Sequence, residues 1–368
     1  MTERLSVLLR EEAEALEVPP AATAAILARG RGLRRRRRWT RITAAATVAA
    51  VVVVGGATGA HRLRADDRID PAHAAEDFAS QGAFAVGRDL YVGDQKIRWP
   101  EAVKALYYTS AGVVVRSGDS SHTNEGPSHY ELVTPTGGRS TIDVHMGNRI
   151  AGFEPDSTRF AYATQDDGQL EVVVHDAVSD RELARITVLD HTVDSGWEAP
   201  PVSIDGDLVW VRNFPVGWTE VNWRTGELHV VPDTSDTFEL QNGRYAVQRG
   251  NDWVIRAMAD QTVVGEVHLQ KGWYAFFSPD GSLMRSFPND VRGVDDDETP
   301  SAYVHDVATD TSVEYPDAGY QLGWTPDGHL LILAGHTVRV CEAMSGACTV
   351  RAFDGSGDVK LGGAPYEA

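Results

Sequence analysis

From about residue 77 to the C-terminus, hydrophobic and polar residues alternate in short bursts separated by turn residues. Alternation over four to eight residues predicts half-buried β-strands, with Val172 and Val174, or Leu208 and Trp210, pointing one way and their neighbours the other. The bursts repeat. "FEPDSTRFAYA" from Phe153, "FSPDGSLMRSF" from Phe277 and "WTPDGHLLILA" from Trp324 each read as an aromatic, a Pro-Asp turn and a strand, and "VSIDGDLVWVR" from Val202 is a weaker relative. Behind each comes a strand, a polar turn and a second strand: "VVVHDAVSDRELARITV", "TEVNWRTGELHVV", "AYVHDVATDTSVEY" and "VRVCEAMSGACTV", a hairpin pattern.

The three Pro-Asp turns begin at Pro155, Pro279 and Pro326, so the gaps are 124 and 47 residues, and 124 is three units of about 41. Four short strands every 40–50 residues is the signature of a β-propeller. Unit boundaries fall near 77–101 (a partial unit), 102–146, 147–193, 194–236, 237–271, 272–317 and 318–368, which predicts an all-β, seven-bladed propeller, with six or eight blades as alternatives. The last segment, "DVKLGG", is expected to pair with the partial first unit and close the ring, which removes the open sheet edges.

Upstream the pattern changes. Residues 42–60 contain no charge, Asn, Gln or Pro over 19 positions and show no polar stripe. At about 1.5 Å per residue that length just crosses a hydrocarbon layer of roughly 30 Å, so a transmembrane helix is expected. Arg34, Arg35, Arg36, Arg37, Arg38 and Arg41 precede it, with Trp39 at interfacial depth. Positive residues stay inside, which places 1–41 in the cytoplasm and 61–368 outside, with 61–76 as a juxtamembrane linker and 77–368 as the propeller. The 41 residues before the run are far longer than a signal-peptide n-region, so an uncleaved anchor is expected. Gly55 and Gly59 form a GxxxG that suits helix pairing, although such a match is cheap in an Ala/Gly-rich run. Residues 2–16 read as a short amphipathic helix carrying Leu5, Leu8, Leu9 and Leu16, with too little apolar surface for a core. It is either a tether or a helix awaiting a cytoplasmic partner.

Charge sharpens this division. The chain carries a net charge of -19. Residues 1–60 hold 10 Arg and 5 Glu, for +5, which leaves 24 Lys+Arg against 48 Asp+Glu, or -24, in 61–368. The arginines therefore face anionic lipid, and the acidic bulk repels nucleic acid. The two cysteines, Cys341 and Cys348, flank a Ser-Gly turn in one predicted hairpin, within reach of a disulfide and so of an oxidising compartment.

The turn motifs "FSPDGS" and "WTPDGH", together with "VHDVATD", resemble the WD-repeat and TolB-type propellers; the Trp-Asp dipeptide of WD repeats is replaced by "VHD" at 174–176 and 304–306 and by "VNW" at 221–223. That resemblance implies a fold and leaves function open. The N-terminal layout, a Leu/Glu-rich helix, "VPP", "ARGRGLRRRRR" and a span, resembles single-pass proteins of high-GC Gram-positive bacteria, some of which act as anti-sigma factors, although the zinc-type pattern of His and paired Cys is missing.

Candidate chemistry is sparse. The twelve histidines show neither HxH nor HExxH spacing, and GxSxG, sialidase boxes and phosphate loops are missing. His175-Asp176 and His305-Asp306 recur at one blade position, which reads better as an Asp-capped turn than as a catalytic dyad. The acidic run at 292–301 lacks the alternating spacing that aims carboxylates at calcium. "SGDSSHTNEGPSHY", 117–130, is a long polar loop and a candidate rim element. Trp197, Trp218, Trp223 and Trp273 fall in or near loops and are the candidate binding face, with packing of most of them between blades as the commoner alternative. The expected function is thus a membrane-anchored, non-catalytic binding module for a protein, peptide or glycan, with no cofactor or metal. The alternatives are a transmembrane signalling protein whose residues 1–41 hold a cytoplasmic partner, and an enzyme using acidic residues at the central channel.

Overall fold

The computed structural model describes residues 70–364, apart from 124, 147–150, 166, 195–197, 214–216, 232–239, 259, 270–272 and 289–299. The expected span at 42–60, its arginines, Trp39, the cytoplasmic segment, Trp197 and most of the acidic run therefore lie outside the described residues. Among the described residues no helix is long and apolar enough to cross a membrane.

Helix α1, Pro71–Gln81, comes first, capped by the Asp70 side chain, which accepts from the Ala72 N–H. Residues 71–76, expected as linker, thus begin this helix: Pro at its first position and Asp at its cap favour the turn. Among the described residues, twenty-eight strands follow, in seven four-stranded antiparallel sheets. The first blade joins β28 (Val359–Leu361) to β1 (Ala83–Val86), β2 (Asp89–Val92) and β3 (Gln95–Arg98). The second holds β4 (Ala102–Thr109), β5 (Gly112–Gly118), β6 (His129–Val133) and β7 (Arg139–Ile142). Four strands each follow for β8 to β11 (152–189), β12 to β15 (202–231), β16 to β19 (240–268), β20 to β23 (273–315) and β24 to β27 (322–352). Each expected unit contains one sheet.

First strands face the axis, where β28 packs on β4, β4 on β8, β8 on β12, β12 on β16, and β24 on β28. The core is distributed. Seven clusters of buried residues each join one blade to the next, from Leu90 with Leu106 (first and second) round to Phe84 with Leu331 (first and seventh). That sequence of contacts closes a seven-bladed ring. It also explains why inner strands such as β5 are buried at every position: both faces of a blade meet another blade.

Closure is made as expected from "DVKLGG". Val359 pairs with Val86, Lys360 with Ala85 and Leu361 with Phe84. The segment then runs into a tight seam. Gly362 N–H donates to Ala83 O at 2.9 Å and Gly362 O accepts from Trp324 N–H at 3.1 Å. A Cβ on Gly362 would overlap Tyr108 Oη and Cζ, so only glycine fits there. Tyr108 Oη accepts from Ala83 N–H at 3.0 Å and is wholly buried, which pushes the phenol well above its usual range. Helix α1 lies across the same seam: Phe78 meets the Tyr108 ring edge-on with centroids 5.6 Å apart, and Ala79 O accepts from Asp327 N–H of the seventh blade at 3.0 Å.

Candidate interaction face

Strand alternation sorts the loops onto two faces. Links between second and third strands of a blade, and between blades, lie on the upper face; links between first and second, or third and fourth, lie on the lower. The entering helix α1 and the Pro-Asp turns occupy the lower face. Asp280, Asp176 and Asp306 there do what a turn Asp does: Asp280 accepts from Ser282 N–H at 3.0 Å, Asp176 from Ser179 N–H at 2.7 Å and Asp306 from Ala308 N–H at 2.9 Å.

The upper face carries the long β5–β6 loop, residues 119–128, the expected rim element. It is built on two buried cations from the blade beneath it. Lys104 of β4 is 0% exposed, and its Nζ donates to Glu125 O, to Pro127 O at 3.1 Å, and at 3.4 Å to Gly126 O and Ser128 Oγ. Arg116 of β5, also 0% exposed, donates from Nε to Ser128 Oγ at 2.9 Å and from Nη2 to Thr123 O at 2.7 Å. Burial pushes the Arg116 guanidinium below its usual range, a shift that the field of Tyr130 and Glu198 only partly offsets. A buried charge is tolerated only when oxygens replace its water, and here the carbonyls of the loop do so.

Side chains complete the loop. Ser120 Oγ donates to Glu125 at 2.8 Å, and Ser121 Oγ donates to Asp358, the residue just before β28. At its foot Glu101 accepts from Ser117 Oγ at 3.0 Å and meets His129 Nδ1 at 3.0 Å, contacts that hold the carboxyl below its usual range, His129 chiefly. What remains exposed is Asp119, His122, Glu125, Gly126, Pro127 and His129, a polar surface in a fixed shape.

Around the axis, Lys104, Tyr107, Lys360, Leu361 and Ala364 are among the residues lining a cavity of about 20 Å³, room for a single water. Among the described residues no group of three His, Cys, Asp or Glu stands close enough together to hold a metal ion. His175 and His305 are both buried, the first with Nε2 2.9 Å from Asp180 Oδ1, the second with Nε2 2.9 Å from Ser286 Oγ. Burial pushes the His305 imidazole below its usual range.

Of the four candidate tryptophans, the three among the described residues do not converge. Trp218 is 2% exposed, packed with Trp210 and Tyr245 between the fourth and fifth blades, so it is core and corrects the expectation of a surface residue. Trp223 sits on the lower face, its Nε1 donating to Gly206 O at 3.0 Å and its ring beneath the Arg224 guanidinium at 4.4 Å. Trp273 begins β20 on the upper face, half-buried, 5.4 Å from the Tyr303 ring. Cys341 and Cys348 are directly paired across β26 and β27 and joined by a disulfide. Sequence alone does not single out Lys104 or Arg116: a basic residue inside "AVKALYYT" and another in "VVVRSG" read as solvent-facing positions of alternating strands.

No protein-family model matches the sequence, and no curated protein is similar to it. Solved structures are similar at fold level. TolB from Acinetobacter baumannii has 12% identity and a TM-score of 0.40, over 77% of this chain and 66% of that one, so this chain spans just under two thirds of its length. KlHsv2 with its loop 6CD replaced by a Gly-Ser linker has 11% identity and a TM-score of 0.46, over 70% of this chain and 83% of that one. A functionally unknown protein from Desulfotomaculum acetoxidans DSM 771 has 13% identity and a TM-score of 0.47, over 76% and 98%. No function is read from them.

Proposed function

We propose that this chain is a membrane-anchored, extracytoplasmic propeller that binds a protein, peptide or glycan on its upper face, with the loop 119–128 as the main recognition element. The anchor rests on the 19 uncharged residues at 42–60 and the arginines before them. The compartment rests on the disulfide and on the arginines that precede the run. The observation that carries the binding reading is the construction of the loop. A connection that only joined β5 to β6 needs two to five residues, whereas this one spends ten residues and two buried cations on holding a polar surface in one shape. Rigid presentation lowers the ordering cost on binding.

The test compares the full chain with a variant in which 119–127 is replaced by Gly-Ser, both in cells and both checked for an intact fold by thermal unfolding. Surface cross-linking should give a defined adduct with the native chain and lose it with the variant. An adduct that survives the replacement unchanged overturns the assignment of the loop.

A further inference from the structure

We propose that the upper loop and helix α1 are coupled through the two strands at the ring seam, so that the state of the loop sets how firmly α1 is docked. This rests on the loop being the binding element, and names how that site is read out on the other face.

Two strands run from one face to the other at this point. Strand β4 carries Lys104, which holds the loop carbonyls, at its upper end, and Tyr108, which holds Ala83 N–H and the Phe78 ring, at its lower end. Beside it β28 begins after Asp358, which accepts from Ser121 of the loop, and is followed by Gly362 and Gly363, packed against Tyr108 and Trp324. The strands are adjacent: Lys104 and Tyr107 line one cavity with Lys360 and Leu361. Between loop and helix, each step is therefore a direct contact. Such a chain transmits only if its far end has two states. Helix α1 can have two. It presents only Ala74 and Phe78 as buried side chains, so its docking is shallow, and it covers parts of three blades at once: Tyr108 of the second, Asp327 of the seventh and, through Phe78 N and Asp77, the Gly93 turn of the first. An eleven-residue helix is marginal on its own, so undocking and unfolding go together.

Coupling must be reciprocal. In the full chain, Ser121→Ala cuts the contact to β28 without touching α1, and should speed amide exchange of residues 74–81 on the order of fivefold. Phe78→Ala should speed cleavage after Glu125 by a Glu-specific protease by a similar factor. Thr262→Ala, which removes a turn bond to Asp260 in the fifth blade and touches neither the loop nor the seam, is the control and should leave α1 exchange unchanged. Amides of β13 and β14 report whether the fold is intact. Unchanged α1 exchange in Ser121→Ala, with the loop itself loosened, overturns the coupling. Because no partner is needed, this result is separate from the cross-linking test: loss of coupling leaves a binding loop without a read-out, and loss of the adduct leaves a coupled loop that is not the recognition element.

Discussion

Among the described residues, the closing segment 358–363 and the loop 119–128 both leave the regular hairpin pattern, and they are held in opposite ways. The closing segment 358–363 is held by backbone: three register pairs with β1, main-chain bonds to Ala83 and Trp324, and glycines where any side chain would collide. The loop 119–128 has almost no backbone ladder and is held by side chains, the ammonium of Lys104 and the guanidinium of Arg116 supplying the donors that a neighbouring strand would supply elsewhere. The difference teaches where each should fail. Backbone closure is sensitive to shape and indifferent to charge; the clamped loop is the reverse.

The largest effect belongs to shape. Gly362→Val forces branched carbons into the Tyr108 ring and the Ala83 carbonyl, and should cost on the order of 4 kcal/mol or prevent folding, read by thermal unfolding. A comparable change at Gly250, a turn glycine with open space around it, should cost only about 1 kcal/mol, the strain of its positive φ. If the two glycines respond alike, the seam is not close-packed. Charge comes second. Lys104→Met keeps the bulk of the side chain and removes the donors, leaving the carbonyls of residues 125–127 unpaired at about 3 kcal/mol. The cost should appear as roughly 100-fold faster cleavage after Glu125, with faster α1 exchange through the seam and with the amides of the other blades unchanged. A global fall in stability with no change at Glu125 would mean that Lys104 serves the blade rather than the loop. Tyr108→Phe is milder: the ring still meets Phe78, but Ala83 N–H loses its acceptor, for about 1 kcal/mol, seen as faster exchange of β1 and β28 amides alone.

The smallest effect is a pH dependence that should separate the two regions. Glu101 has its folded pKa depressed below the ordinary 4.5, so its contribution is present above that value and is lost as pH falls through the folded pKa. Acidification below about pH 4.5 should therefore loosen the foot of the loop at Ser117 and His129 first, and Glu101→Gln should remove this step. Amide exchange measured from pH 5 to pH 3 checks it; equal acid sensitivity in β1 and β28 would contradict the distinction.

The same contrast explains what could be read from the chain. Closure was legible because repetition reports it: the unit count leaves an incomplete first blade, and "DVKLGG" is the one strand-like piece left over. The hairpin disulfide was legible from two cysteines placed symmetrically about a Ser-Gly turn. The clamp was not. A lysine at alternating spacing ordinarily reads as solvent-facing, and its burial arises from a bulge between Val103 and Ala105 together with a loop twenty residues downstream folding back over it. Trp218 illustrates a related limit. Trp218 lies next to a loop in sequence, yet in a propeller strand ends also face the next blade, so nearness to a loop does not mean exposure.

Both the seam and the coupling proposed through it depend on β28 being the inner strand of the first blade. Val86 and Val359 are directly opposite across that pairing. Cysteines placed at both positions should form a cross-link on mild oxidation, found by mass spectrometry as one disulfide-joined pair of peptides, with raised thermal stability and with Cys341–Cys348 unaffected. Two free thiols at 86 and 359 in a folded chain would contradict the closure, and with it the seven-bladed ring.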